Sequence, residues 1–183
     1  GIFDNNGVRS WLTATYEPSG TYELTLGNNQ YLLAEPGKIL QSVKIGGTNT
    51  KIEGQPLLNS ALVFDANATS SIGIQTPLNK NIKFDASGTN TIYLTSWLKL
   101  ADDVTIVNDG TIDVNGNSFW FGAKPLTLTN RIYWYNAGEI NLNGRLNQSG
   151  GWSIKKETLI NGHGNVLDIS AGSFDIAAST TLY

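Results

Sequence analysis

Apolar residues in this chain recur at every second position, in runs of three to five residues. Leu62-x-Phe64, Ile72-x-Ile74, Ile82-x-Phe84 and Ile92-x-Leu94 follow one another at intervals of ten residues. Each run is followed by a turn rich in Asn, Ser, Thr, Gly or Pro. Period-two alternation predicts strands with one face inward and one outward. Two such strands make a longer repeat of twenty residues, in which Phe64/Phe84, Asp65/Asp85, Ala66/Ala86, Thr69/Thr89, Ile72/Ile92 and Leu78/Leu98 are identical. A second repeat relates Gly110-Thr-Ile112-Asp-Val114-Asn-Gly116 to Gly138-Glu-Ile140-Asn-Leu142-Asn-Gly144 and, more loosely, to Gly172-Ser-Phe174-Asp-Ile176. Val104-x-Ile106, Phe119-x-Phe121, Leu126-x-Leu128, Ile132-x-Trp134 and Trp152-x-Ile154 fill the intervals.

Strands this short and evenly spaced are too brief for a sandwich. They predict an all-β chain, a parallel β-helix (β-solenoid) whose coils of two or three strands stack at the strand spacing of about 4.8 Å. With roughly 20–28 residues per coil over residues 51–183, five to seven coils give a rod of about 25–35 Å. No segment reads as a helix. Residues 1–50 break the rhythm. Trp11-Leu-Thr-Ala-Thr-Tyr16 and Thr21-Tyr-Glu-Leu-Thr-Leu26 flank Glu17-Pro-Ser-Gly20 and read as a hairpin; Tyr31–Leu33 and Ile39–Leu40 flank a second turn at Glu35-Pro-Gly37. The expected division is a distinct N-terminal β segment over 1–50, either a cap or an assembly arm, and a solenoid over 51–183.

Composition supports the solenoid. The 183 residues include 20 Asn, 20 Gly and 18 Thr, with only 15% charged residues. Asn and Gly adopt the left-handed backbone that sharp corners require. Cysteine is absent, which excludes disulfides and thiolate metal sites. Methionine is absent too, and a chain opening on Gly1-Ile2-Phe3 reads as one trimmed by processing or by choice of boundary. A net charge of −3 offers no basic stripe for nucleic acid, and no apolar run is long enough for a membrane-spanning segment. These features suit an extracellular or cell-surface protein.

Tandem Gly-x-Ile-x-Val units in an Asn/Gly/Thr-rich, Cys-free chain resemble the β-solenoid passengers of bacterial filamentous haemagglutinins and autotransporters, over residues 51–183. That resemblance implies a right-handed parallel β-helix, export, and surface display as an adhesin or fibre. Passengers of that family are far longer, so a short solenoid gains length by self-association or is a fragment.

Candidate chemistry is sparse. Asp102-Asp103 and Gly162-His163-Gly164 resemble the paired aspartates and Gly-His-Gly of polygalacturonases, whose acid and base must flank one glycosidic bond. The Arg-Ile-Lys element of those enzymes is missing, since no Arg or Lys follows Lys156, and so is the Asn-Thr-Asp element. Catalytic, cofactor and metal assignments are therefore none. Asp109 and Asp113 could serve calcium, but they sit in turn-forming sequence. Aromatic residues are more informative. Ile132 and Trp134 inward would leave Tyr133 and Tyr135 outward, with Trp120 beside them, as interface or glycan-contact residues. Tyr22, Leu24, Leu26, Phe174, Ile176 and Leu182 lie in apolar terminal strands suited to assembly with further copies. The expected function is an exported structural protein that self-assembles into a fibre, sheath or layer. The alternatives are a glycan- or host-binding adhesin module and, third, a polysaccharide-active enzyme.

Overall fold

The computed structural model describes residues 10–12, 23–34, 36–37, 39–135, 138–156 and 158–177. They form short strands and no helix, and every strand pair is parallel. The chain is a β-solenoid of about seven turns, each turn crossing three faces.

The first face carries β2 (Leu24–Leu26), β5 (Val43–Ile45), β8 (Leu62–Phe64), β10 (Ile82–Lys83) and β13 (Ile106–Val107) in one sheet. On the same face, β16 (Leu126–Leu128), β19 (Leu146–Gln148) and β22 (Leu167–Asp168) form another. The second face is a single nine-stranded ladder: β1 (Ser10–Leu12), β3 (Tyr31–Ala34), β6 (Thr50–Gly54), β9 (Thr69–Ile74), β11 (Thr91–Leu94), β14 (Gly110–Asp113), β17 (Ile132–Tyr135), β20 (Trp152–Ile154) and β23 (Phe174–Ile176). The third face begins with β4 (Ile39–Leu40) and β7 (Leu57–Leu58). It resumes with β12 (Leu98–Lys99), β15 (Ser118–Trp120), β18 (Glu139–Asn141) and β21 (Leu159–Asn161). Nine strands at about 4.8 Å give a ladder of roughly 38 Å.

Alternation places the core as expected. Leu62, Phe64, Ile72, Ile74, Ile82, Phe84, Ile92 and Leu94 are all buried, and the ten-residue interval carries the chain alternately to the first and second faces. Phe64 and Phe84 stack in adjacent turns, ring centroids 5.2 Å apart. Further along, Phe119, Trp134, Trp152 and Phe174 continue an aromatic column at centroid separations of 5.2, 5.4 and 6.4 Å.

Corners carry the Asn. Asn29, Asn49 and Asn67 have φ of 60°, 54° and 62°, and the Asn49 amide donates to Asn29 Oδ1 at 2.8 Å. Gly110 serves a different need. A Cβ there would lie 2.1 Å from the Phe84 ring, so only glycine lets this short corner pass over the aromatic stack.

At three places the sequence repeats do not coincide with strand register. Ile72 and Ile92 are not partners: Leu94 pairs with Ile72 and Thr91 with Thr69, because the corner after Phe84 holds two extra residues. Leu78 likewise bridges to Leu100 rather than Leu98. The Gly110 and Gly138 repeats do not stack, since Gly110–Asp113 lies on the second face and Glu139–Asn141 on the third.

The expected terminal hairpin is described only at its two outer ends. β2 pairs in parallel with β5, and β1 with β3. Hence the described part of residues 23–50 joins the same stack as the rest, while residues 13–22 lie outside the described residues. Pro36-Gly37 is an ordinary solenoid corner, with Gly37 at φ 76°.

Among the described residues, backbone pairing between successive interior turns is interrupted twice. On the third face β7 ends its sheet, and the gap is filled by a side chain: Asn79 Oδ1 accepts from Leu58 N at 2.9 Å and Asn79 Nδ2 donates to Leu58 O at 2.8 Å. On the first face β13 and β16 end separate sheets and do not pair, although β14–β17 and β15–β18 remain joined beside them.

Candidate functional site

Outward positions carry whatever recognition the molecule has, because the inner positions are filled by aliphatic and aromatic side chains. On β17, Ile132 and Trp134 are fully buried and Tyr133 and Tyr135 face outward, as alternation requires. Tyr135 is 38% exposed; Tyr133 is half-buried, flanked by Thr111 and Ser153 in register.

Trp120 behaves differently. It is half-buried on the third face, stacked against His163 with centroids 5.5 Å apart and planes at 17°. Its Nε1 donates to Ser118 Oγ at 3.1 Å. Asn141 is sealed beneath this pair, its Oδ1 2.8 Å from His163 Nε2. Trp120 therefore belongs to a closed stack and does not join Tyr135 in an open surface.

Among the described residues two further exposed aromatics join the outward set. Tyr93 is 41% and Trp97 38% exposed. Tyr93 pairs with Asp113 and Asp113 with Tyr135, so two tyrosines flank a carboxylate along one outward row. The signal for Tyr93 was present in the sequence: in Ile92-Tyr93-Leu94, alternation that buries Ile92 and Leu94 must expose Tyr93. Nothing in the local pattern marks Trp97.

The acidic and histidine candidates are dispersed. Asp102, Ala123 and Gly144 occupy one corner in successive turns, for Ala123 N donates to Asp102 Oδ1 at 2.8 Å and a Cβ on Gly144 would meet Ala123 O. His163 lies on the next turn of that corner, three turns from Asp103, or about 14 Å along the axis. Asp103 instead pairs with Lys124 at 2.6 Å, and this hydrogen bond raises the Lys124 ammonium pKa above its usual value. His163 sits at φ 47°, its N–H held by Asn161 Oδ1 at 3.2 Å. It is a turn residue, as its Gly-flanked sequence implied.

Asp109 Oδ1 accepts the Arg131 N–H at 2.7 Å and Asp113 Oδ1 the Asn115 N–H at 3.0 Å. Both carboxylates thus brace backbone. Among the described residues no three His, Asp or Glu side chains converge for a metal ion, and no helix is long and apolar enough to cross a membrane.

The strands expected to assemble are described in part. Leu24 and Leu26 are buried in β2, the first strand of its sheet. Phe174 and Ile176 belong to β23, the last strand of the nine, with Phe174 partly buried and Ile176 40% exposed. Tyr22 and Leu182 lie outside the described residues. No family model, curated protein or solved structure matches this chain.

Proposed function

We propose that this chain is a structural module of an extracellular or cell-surface assembly, a rigid rod that joins copies of itself along its axis into a fibre, sheath or layer. The supporting observation is the nine-stranded parallel ladder, a stack of turns in which each strand takes its neighbour in one repeated direction and whose length no single turn fixes. An unpaired strand edge above apolar side chains recruits another strand of matching register. When the opposite end supplies it, the contact is head-to-tail and does not close on itself, which yields a filament. Negative-stain imaging of the purified protein tests this. Fibres one solenoid wide are expected, whereas a protein that sediments as a monomer at high concentration ends the proposal.

A second reading, a glycan-binding adhesin module, is favoured by the Tyr93–Asp113–Tyr135 row with Trp97 near it. Exposed rings offer flat apolar faces to sugars while the carboxylate accepts from hydroxyls. Binding on a glycan array that Tyr135→Ala weakens would favour it. The third reading, a polysaccharide-active enzyme, draws no support from corners that keep Asp103 and His163 three turns apart.

A further inference from the structure

The open interruption on the first face is bordered by two strand edges that face each other. Ile82 N donates to Thr105 O and Phe84 N to Val107 O, at 3.0 Å each, so Thr105 and Val107 turn their carbonyls back toward β10. In a parallel ladder alternate residues point to opposite neighbours; Ile106 therefore directs its N–H and C=O away from β10, toward β16. Across the gap, Leu126 N donates to Arg145 O and Leu128 O accepts from Ser149 N, both at 2.9 Å. Those two residues serve β19, which leaves Thr127 directing its groups toward β13. The two edges do not pair. Only the corner is bridged, by Asn130 Nδ2 to Asn108 O and Arg131 N to Asp109 Oδ1, both at 2.7 Å.

Between these edges lies a cleft of about 550 Å³, lined by Thr105, Ile106, Asn108, Thr127, Thr129 and Asn130 among others. Its floor is closed, since Ile106 and Leu128 are 2% and 1% exposed. We propose that this cleft is a strand-addition site for a short extended peptide segment of small residues. Backbone donors and acceptors on both walls match an extended main chain, the mode by which strands are added to sheet edges. The edges, two and three residues long, fit a segment of about three residues, or roughly 10 Å of strand. The sealed floor leaves no room for a large inward side chain, so glycine, alanine or serine must occupy that position. This site is independent of assembly through the ends of the rod.

The test uses amide NMR and hydrogen exchange on the whole chain, with the blocked peptide Ac-Gly-Ser-Gly-Ser-Gly-NH2 as probe. In the free protein the Ile106 and Thr127 amides should exchange faster than their ladder neighbours. The peptide should shift both signals and slow both, by about five- to tenfold, the worth of one ordinary hydrogen bond. A version of the probe with proline at its centre, which has lost the donor there, should not. Thr127→Pro deletes the wall donor while keeping the bonds of β16 to β19, because proline is tolerated where the strand N–H faces away from a partner. Peptide binding should weaken in that variant. Amides of Ile106 and Thr127 already protected in the free protein would overturn the proposal whatever the variant does. So would failure of the probe to bind, equal binding of the proline probe, or saturable binding of cellopentaose in its place.

Discussion

Two interruptions of the same solenoid wall meet different fates. On the third face the missing rung after β7 is replaced by the amide of Asn79, which offers Leu58 one acceptor and one donor at the spacing of a peptide unit. On the first face Asn130 reaches only the corner carbonyl of Asn108, and the edges of β13 and β16 stay apart. A primary amide is chemically a peptide group on a tether, so one well-placed Asn can stand in for a residue of strand. Where the tether is anchored at the corner instead, the edge remains available to something else. Neither interruption reaches the core, because the neighbouring faces hold the turns together and the inner row stays buried beneath both.

That contrast orders the expected effects of mutation. The largest belongs to the shared core. Phe84 stacks on Phe64 and lies under Gly110 at the rim of the open cleft; Phe84→Ala should cost about 3–5 kcal/mol in chemical denaturation, through lost burial and the cavity left behind. A smaller loss would mean that the core does not carry the turns across the interruptions. Next comes the plugged gap. Asn79→Leu leaves the Leu58 N–H and C=O without partners in a buried position, and the unfolding free energy should fall by about 2–3 kcal/mol. Asn130→Ala, at the open gap, should cost only about 0.5–1 kcal/mol, because water can reach the Asn108 carbonyl in its place. Equal losses from the two asparagine variants would erase the distinction between a plugged and an open gap.

The smallest effect is acidic. On the sheet above the cleft, the Ser170 hydroxyl and N–H hold the Asp168 carboxyl below its usual pKa, with Arg145 reinforcing them. A folded-state value below the unfolded one adds stability above the unfolded pKa of about 3.9. That stability disappears as pH falls through the lower folded value. Melting temperatures of the wild type and Asp168→Asn should therefore differ slightly at neutral pH and converge in strong acid. A gap that widens on acidification would reverse the sign.

Much of this architecture is legible in the sequence because period two is a local property. Ile72, Ile82, Ile92 and their i+2 partners name their own faces. Phe64 and Phe84 name their own stack. Register is harder to read, since corners vary: partners on the second face are twenty residues apart at Ile52 and Ile72 and twenty-two at Ile72 and Leu94, and two added corner residues leave every strand motif intact. The Gly-x-Ile-x-Val unit misleads for a related reason. It describes a strand entering a corner, and the second and third faces satisfy it equally well at Gly110 and Gly138. Thr21 to Leu26 reads as one arm of a hairpin because a strand does not announce its partner, and the described part, β2, pairs with β5. The cleft is invisible from sequence altogether, being the absence of a pairing between Ile106 and Thr127, residues that look like any other strand positions. His163 could be read as a turn, but its stacking on Trp120 across the intervening turn could not.

The same open gap also has a mechanical meaning. In this fold the hydrogen bonds run along the rod, so tension applied to its two ends is borne turn by turn in series. Among the described residues, interior junctions between turns are held by backbone pairing on three faces, or after β7 on two with the Asn79 amide as the third line. The junction between the β13–β15 turn and the β16–β18 turn is held on two. Of these interior junctions it is the one that should part first under load, the preceding turns separating as one block and the following turns as another. A segment seated between β13 and β16 would restore the third line of bonds and move the breaking point elsewhere.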